Sequence, residues 1–69
     1  MNEQININLL LVRNAVITVE KGIEYAKDTL SEHDTKLGRN NPSNNLRAVN
    51  IESDILSAEI VLKQLKELL

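Results

Sequence analysis

Along the first half of the chain, apolar residues recur at Leu9, Val12, Val16, Val19, Ile23, Ala26, Leu30 and Leu37, in steps of three and four that only His33 interrupts. That alternation keeps one line of side chains on one side of an α-helix, so it predicts a single long helix with an apolar stripe. The second half repeats the pattern with Ala48, Ile51, Ile55, Ala58, Leu62, Leu65 and Leu69. Between the two stripes lies the one concentration of turn-forming residues, Gly38-Arg39-Asn40-Asn41-Pro42-Ser43-Asn44-Asn45. Gly38 suits the left-handed residue that ends a helix, and Asn41-Pro42 suits an N-cap followed by a first helical position where a missing N–H costs nothing.

The pattern predicts an all-α single domain of residues 1–69: helix one over about 5–37, a turn over 38–42, and helix two over about 43–68. A link this short makes the helices antiparallel neighbours with their stripes facing each other. One local ambiguity stands at Ile5-Asn6-Ile7-Asn8-Leu9, which alternates with a period of two and also fits a short extended piece; helix is the preferred reading.

Each helix carries apolar residues that a hairpin seam cannot use. At about 100° per residue, Leu10 and Ile17 sit well round helix one from its stripe, and Val49, Leu56 and Ile60 lie nearly opposite that of helix two. A two-helix hairpin has one inside, so a second apolar side on both helices predicts assembly into an oligomeric helical bundle, a four-helix dimer at minimum. Composition points the same way. With Tyr25 the only aromatic residue of the Phe, Trp and Tyr class and no cysteine, the core is aliphatic and has no disulfide or thiolate-metal staple. Ala15, Gly22 and Ala26 add small residues along one flank, which either permit close backbone approach or are incidental.

The net charge of −2 argues against a DNA or RNA binder relying on a basic face. The longest aliphatic run, Leu9 to Val12, is far below the roughly 20 residues of a membrane span, so the expectation is a cytoplasmic chain with no membrane partner. Catalysis lacks its usual parts. His33 is the only histidine and reads as a helix-terminal residue capping carbonyls or packing partly buried. No HxxxH or ExxH pair marks a metal site, and Gly22 and Gly38 are isolated, so the expected protein has no catalytic residue, metal or cofactor.

Positive charge is more informative. Lys36, Arg39 and Arg47 bracket the Asn-rich turn at the N-terminal end of helix two, where a dipole already favours an anion; they form either a phosphate site or a solvated turn whose cations support the end of helix one. Arg47, one turn inside helix two, is the residue positioned to present a fixed fork. On helix one, Tyr25, Lys21 and Arg13 lie away from the stripe, so a groove closed by oligomerisation would let the tyrosine stack on a base beside a cation; a tyrosine at the rim of an oligomer seam is the plainer reading. Glu32 with Lys36 and Glu59 with Lys63 are spaced for i,i+4 pairing on solvated faces.

The stretch from Asn45 to Ala58, with Arg47 opening helix two, Ile51 four residues on, then Ser53 or Asp54, Leu56 and Ala58, resembles the second half of a phage helical-hairpin family: the anti-CBASS and anti-Thoeris proteins that sequester cyclic nucleotide signals. Gly22-Ile23-Glu24-Tyr25 resembles the family's Gly-x-Glu-aliphatic segment. The chain departs from the family where Val19 replaces a lysine, with Lys21 nearby, and where Ile60, Val61 and Leu62 replace aromatic and methionine positions. The resemblance implies a hexameric sponge, active in the host cytoplasm, that binds cyclic di- and trinucleotides between protomers without hydrolysing them. Arg47 is then expected on phosphate, with Tyr25, Lys21 and Asn50 as further ligand contacts. The competing expectation is a small protein-binding regulator, adaptor or inhibitor, acting through the second apolar side; an RNA-binding hairpin is disfavoured by the charge and the single tyrosine.

Overall fold

The computed structural model describes residues 2–69, with side chains described for residues 8–69. It contains two helices, α1 (Asn2–Lys36) and α2 (Pro42–Glu67), packed against each other as a hairpin, with no strand among the described residues. The segment around Ile5 to Leu9 is part of α1, so the helix begins before the predicted residue 5. The other boundaries fall within one residue of the sequence expectation. The molecule is a rod of 56 × 16 × 13 Å.

The turn forms for the reasons its residues suggest. Gly38 has φ of 71°, a left-handed conformation that costs glycine little and turns the chain out of α1. The His33 carbonyl accepts from both Leu37 N (2.8 Å) and Gly38 N (3.2 Å), which satisfies acceptors left open where a helix stops. Three residues on, Asn41 is extended (φ −85°, ψ 132°) and its side chain accepts from Ser43 N at 2.8 Å, with Pro42 as the first helical residue. This is an N-cap with proline where proline is tolerated.

The two stripes meet as the spacing requires. Val16, Ile23, Ala48 and Ile55 are the buried apolar residues, and Val12, Val19, Ala26, Leu30, Ile51, Ala58, Leu62 and Leu65 are half-buried. Common grooves join Ile23 to Leu62, Leu30 to Ile55 and His33 to Ile51, which sets the antiparallel register. At the ends of the stripes, Leu9 and Leu37 are exposed. α1 has 35 residues against 26 in α2, so its N-terminal part runs past the helix it faces, and Leu10 and Leu11 there are exposed too. At about 1.5 Å per residue α1 alone accounts for nearly the whole long axis. Among the described residues no helix is long and apolar enough to cross a membrane.

Among the described residues no large side chain is fully buried, and the second apolar sides are open: Leu46, Val49, Leu56 and Ile60 on α2 are 47–62% exposed, and Leu10 and Ile17 on α1 are 53% and 44% exposed. Gly22 does not mark a close approach within the hairpin, because a Cβ built there meets no atom within 4 Å. His33, the polar break in the stripe, is buried at 7% exposure. Its Nδ1 lies 3.3 Å from Asp34 Oδ1, and its Nε2 is buried with no hydrogen-bond partner. An unpaired buried polar atom of this kind costs about 1–3 kcal/mol. His33→Leu therefore restores the stripe and is expected to raise the thermal midpoint by several degrees, measured by circular dichroism at fixed protein concentration; a lowered midpoint would show that the ring's polar atoms support the seam.

Candidate functional site

The cations around the turn do not act as one cluster. Arg39, carried back over the end of α1 by the left-handed Gly38, donates through Nε to Asp34 Oδ1 (3.0 Å), through Nη2 to Asp34 Oδ2 (2.8 Å), and through Nη1 to Glu52 on α2. A two-pronged grip on one carboxylate and a third bond to another make Arg39 the brace between the helices. The hydrogen bond from Arg39 holds the Asp34 carboxyl below its ordinary value of 3.8, and the two carboxylates raise the guanidinium of Arg39 above its usual range. Lys36 is paired with Glu32, the i,i+4 pair the sequence predicts. Glu59 and Lys63 form no such pair among the described residues; on that part of α2 it is Lys66 that reaches an acid, Glu20 of α1, at 3.4 Å.

Arg47 is the cation of this group left over. It is exposed, and no hydrogen bond or ion pair engages it among the described residues. Arg39 is the arginine whose fork is engaged within the hairpin, because the turn places it between two carboxylates, and Arg47 lies on the opposite flank. That flank is shaped. Arg47, Ile51 and the paired Lys36 line an open groove of about 320 Å³ with Thr29, Leu37 and the ring of His33. Its floor is apolar and its charged rim carries the unpaired arginine beside the Glu32–Lys36 pair. The volume lies near the lower end of the roughly 300–1,000 Å³ typical of ligand pockets, and the groove lies open to solvent along one side.

The other sequence-predicted residues stand apart from this groove. Tyr25 is 76% exposed and, with Lys21 one turn away, lies across α1 from the seam at about 100° per residue. Asn50 is exposed on the outer side of α2. A single hairpin therefore brings none of Tyr25, Lys21 and Asn50 into the groove that Arg47 lines. Sequence reasoning named Lys36, Arg39 and Arg47 together as a possible phosphate site; the structure withdraws Arg39 from it. It missed Glu52 as a partner of Arg39, a contact 13 residues apart that no helical spacing rule reports.

Because Asp34 titrates below its ordinary value in the folded chain, its contribution to stability is present above about pH 4 and is lost as pH falls through the depressed value. Asp34→Asn is expected to lower the thermal midpoint at neutral pH and to flatten its fall on acidification; a midpoint that tracks the parent chain at every pH would remove the brace from the account. Among the described residues no group of three or more His, Cys, Asp or Glu is placed to hold a metal ion. No family model matches the chain, and neither the curated proteins nor the solved structures contain a match to it.

Proposed function

We propose that the chain acts by binding, as a self-assembling helical hairpin that captures cyclic oligonucleotide messengers and holds them without cleavage. The observation that carries this reading is the state of Arg47: an arginine with no carboxylate partner among the described residues, at the rim of an apolar-floored groove, in a chain whose other turn arginine is fully engaged. A planar guanidinium left free in such a setting is suited to a phosphodiester, and the apolar floor to a base or sugar. The groove of one hairpin is too open to enclose such a ligand, so symmetric copies complete the site, which fits the exposed second sides of both helices. The resemblance of Arg47, Ile51, Leu56 and Ala58 to the anti-CBASS and anti-Thoeris hairpins supplies the ligand class, the hexameric state and the setting, a phage protein in the host cytoplasm. Tyr25, Lys21 and Asn50 then reach the ligand from neighbouring copies.

A second reading has its own observation. The open apolar side of α2, from Leu46 to Ile60, suits a docked helix of another protein, which would make the chain an adaptor or inhibitor. The two separate in one experiment: calorimetry and native mass spectrometry against a panel of cyclic di- and trinucleotides. Sequestration predicts tight binding by an oligomer, with Arg47→Ala weakening affinity at least tenfold while the assembly mass stays unchanged. Absence of binding across the panel would leave the regulator reading; binding unaffected by Arg47→Ala would remove Arg47 from the site.

A further inference from the structure

Outside the hairpin seam, Leu46, Val49, Ser53, Leu56 and Ile60 are spaced three, four, three and four, a second coiled-coil stripe on α2 whose Val49, Ser53 and Leu56 border a groove shared with Lys27 and Leu30 of α1. All of these residues are exposed in the single chain. We propose that this stripe packs against the same stripe of a second copy, the two α2 helices running antiparallel about a two-fold axis near Ser53. The inference deepens the self-assembly in the proposed function and does not depend on any ligand.

Three observations select the occupant. The first is area. A compact protein of 7.8 kDa is expected to expose about 4,400 Å², whereas the hairpin exposes 5526 Å². The surplus, about 1,100 Å², is larger than the roughly 800 Å² that each partner contributes to a standard interface, so the hairpin leaves enough surface uncovered for contact with a second copy. The second is charge within the stripe. Its continuation at the next two positions is Lys63 and Glu67. Parallel pairing sets Lys63 against Lys63 and Glu67 against Glu67, whereas antiparallel pairing sets each opposite the start of the partner helix and leaves the aliphatic residues to meet around the middle. The third is the outer flank. Ser43, Asn50, Ser57 and Gln64, spaced by seven, are all uncharged, and antiparallel pairing brings this row against itself with no like-charge contact. The inner flank is already committed to α1 through Glu52 to Arg39 and Lys66 to Glu20. A foreign partner would not require self-complementarity; a second copy does.

The chain has no cysteine, so single labels can be placed without further change. Ser57 lies near the middle of α2 and Glu67 at its end, both exposed and outside the row of aliphatic contacts. With Ser57→Cys and Glu67→Cys carrying nitroxides, double electron–electron resonance should give an intermolecular distance below about 25 Å at residue 57 and about 40–50 Å at residue 67, from the helical rise of about 1.5 Å per residue. Short distances at both positions would mean parallel pairing, long distances at both would mean another face, and no intermolecular distance would mean a monomer or a foreign partner; each of these overturns the proposal. Loss of nucleotide binding would leave these distances unchanged, so failure of the ligand reading and failure of this one are distinguishable.

Discussion

The structure depends on one narrow aliphatic seam. Two stripes with alternating steps of three and four lie face to face, and everything else in the chain either sets their register or remains outside them. The seam is thin because a pair of helices offers only one line of contact, and the side chains here are Val, Ile, Leu and Ala with no aromatic ring to widen it. Among the described residues four apolar ones are buried and no large side chain is fully enclosed. Apolar burial at about 25 cal/mol per Å² has to offset an ordering cost that scales with every residue fixed, and an elongated two-helix rod is the shape that gains least from it. The open aliphatic sides follow from the same constraint, since they are the burial a single hairpin cannot make.

The charged residues work at the edges of that seam. Arg39 joins the last turn of α1 to α2 by holding Asp34 and Glu52 together, and Lys66 with Glu20 ties the far end. These pairs are exposed, so their effect lies in fixing the register of a seam whose aliphatic contacts would tolerate sliding, more than in raw stability. The two arginines near the turn differ in this respect: Arg39 holds carboxylates of both helices on one flank, while Arg47, on the other, has no ion-pair partner among the described residues.

The fold was legible because its determinants are local. Helical period, the glycine in a left-handed conformation and the asparagine–proline cap all act within a few residues, so the stripes, the turn and the antiparallel pairing could be read directly, whereas the exposure of Leu9, Leu37 and Leu69 at the stripe ends could not. The site was only partly legible. The role of Arg39 as a brace was not legible, because it depends on how the turn swings residue 39 over Asp34 and toward Glu52, a geometry set by the tertiary structure. His33 was placed on the seam by spacing alone, yet the unpartnered Nε2 is a property of what packs around it. Gly22 shows a choice that spacing left open: a small residue on a flank either permits close approach or is incidental, and within the hairpin the space beside it is open.

The central claim is that this hairpin reaches its stable state by burying its second apolar sides against other copies of itself. Thermal unfolding followed by circular dichroism over a hundredfold range of protein concentration tests that claim most directly, because folding coupled to association makes the midpoint depend on concentration. The account predicts a midpoint that rises steadily with concentration and helical signal that falls on dilution. A midpoint that stays constant across the range would contradict it.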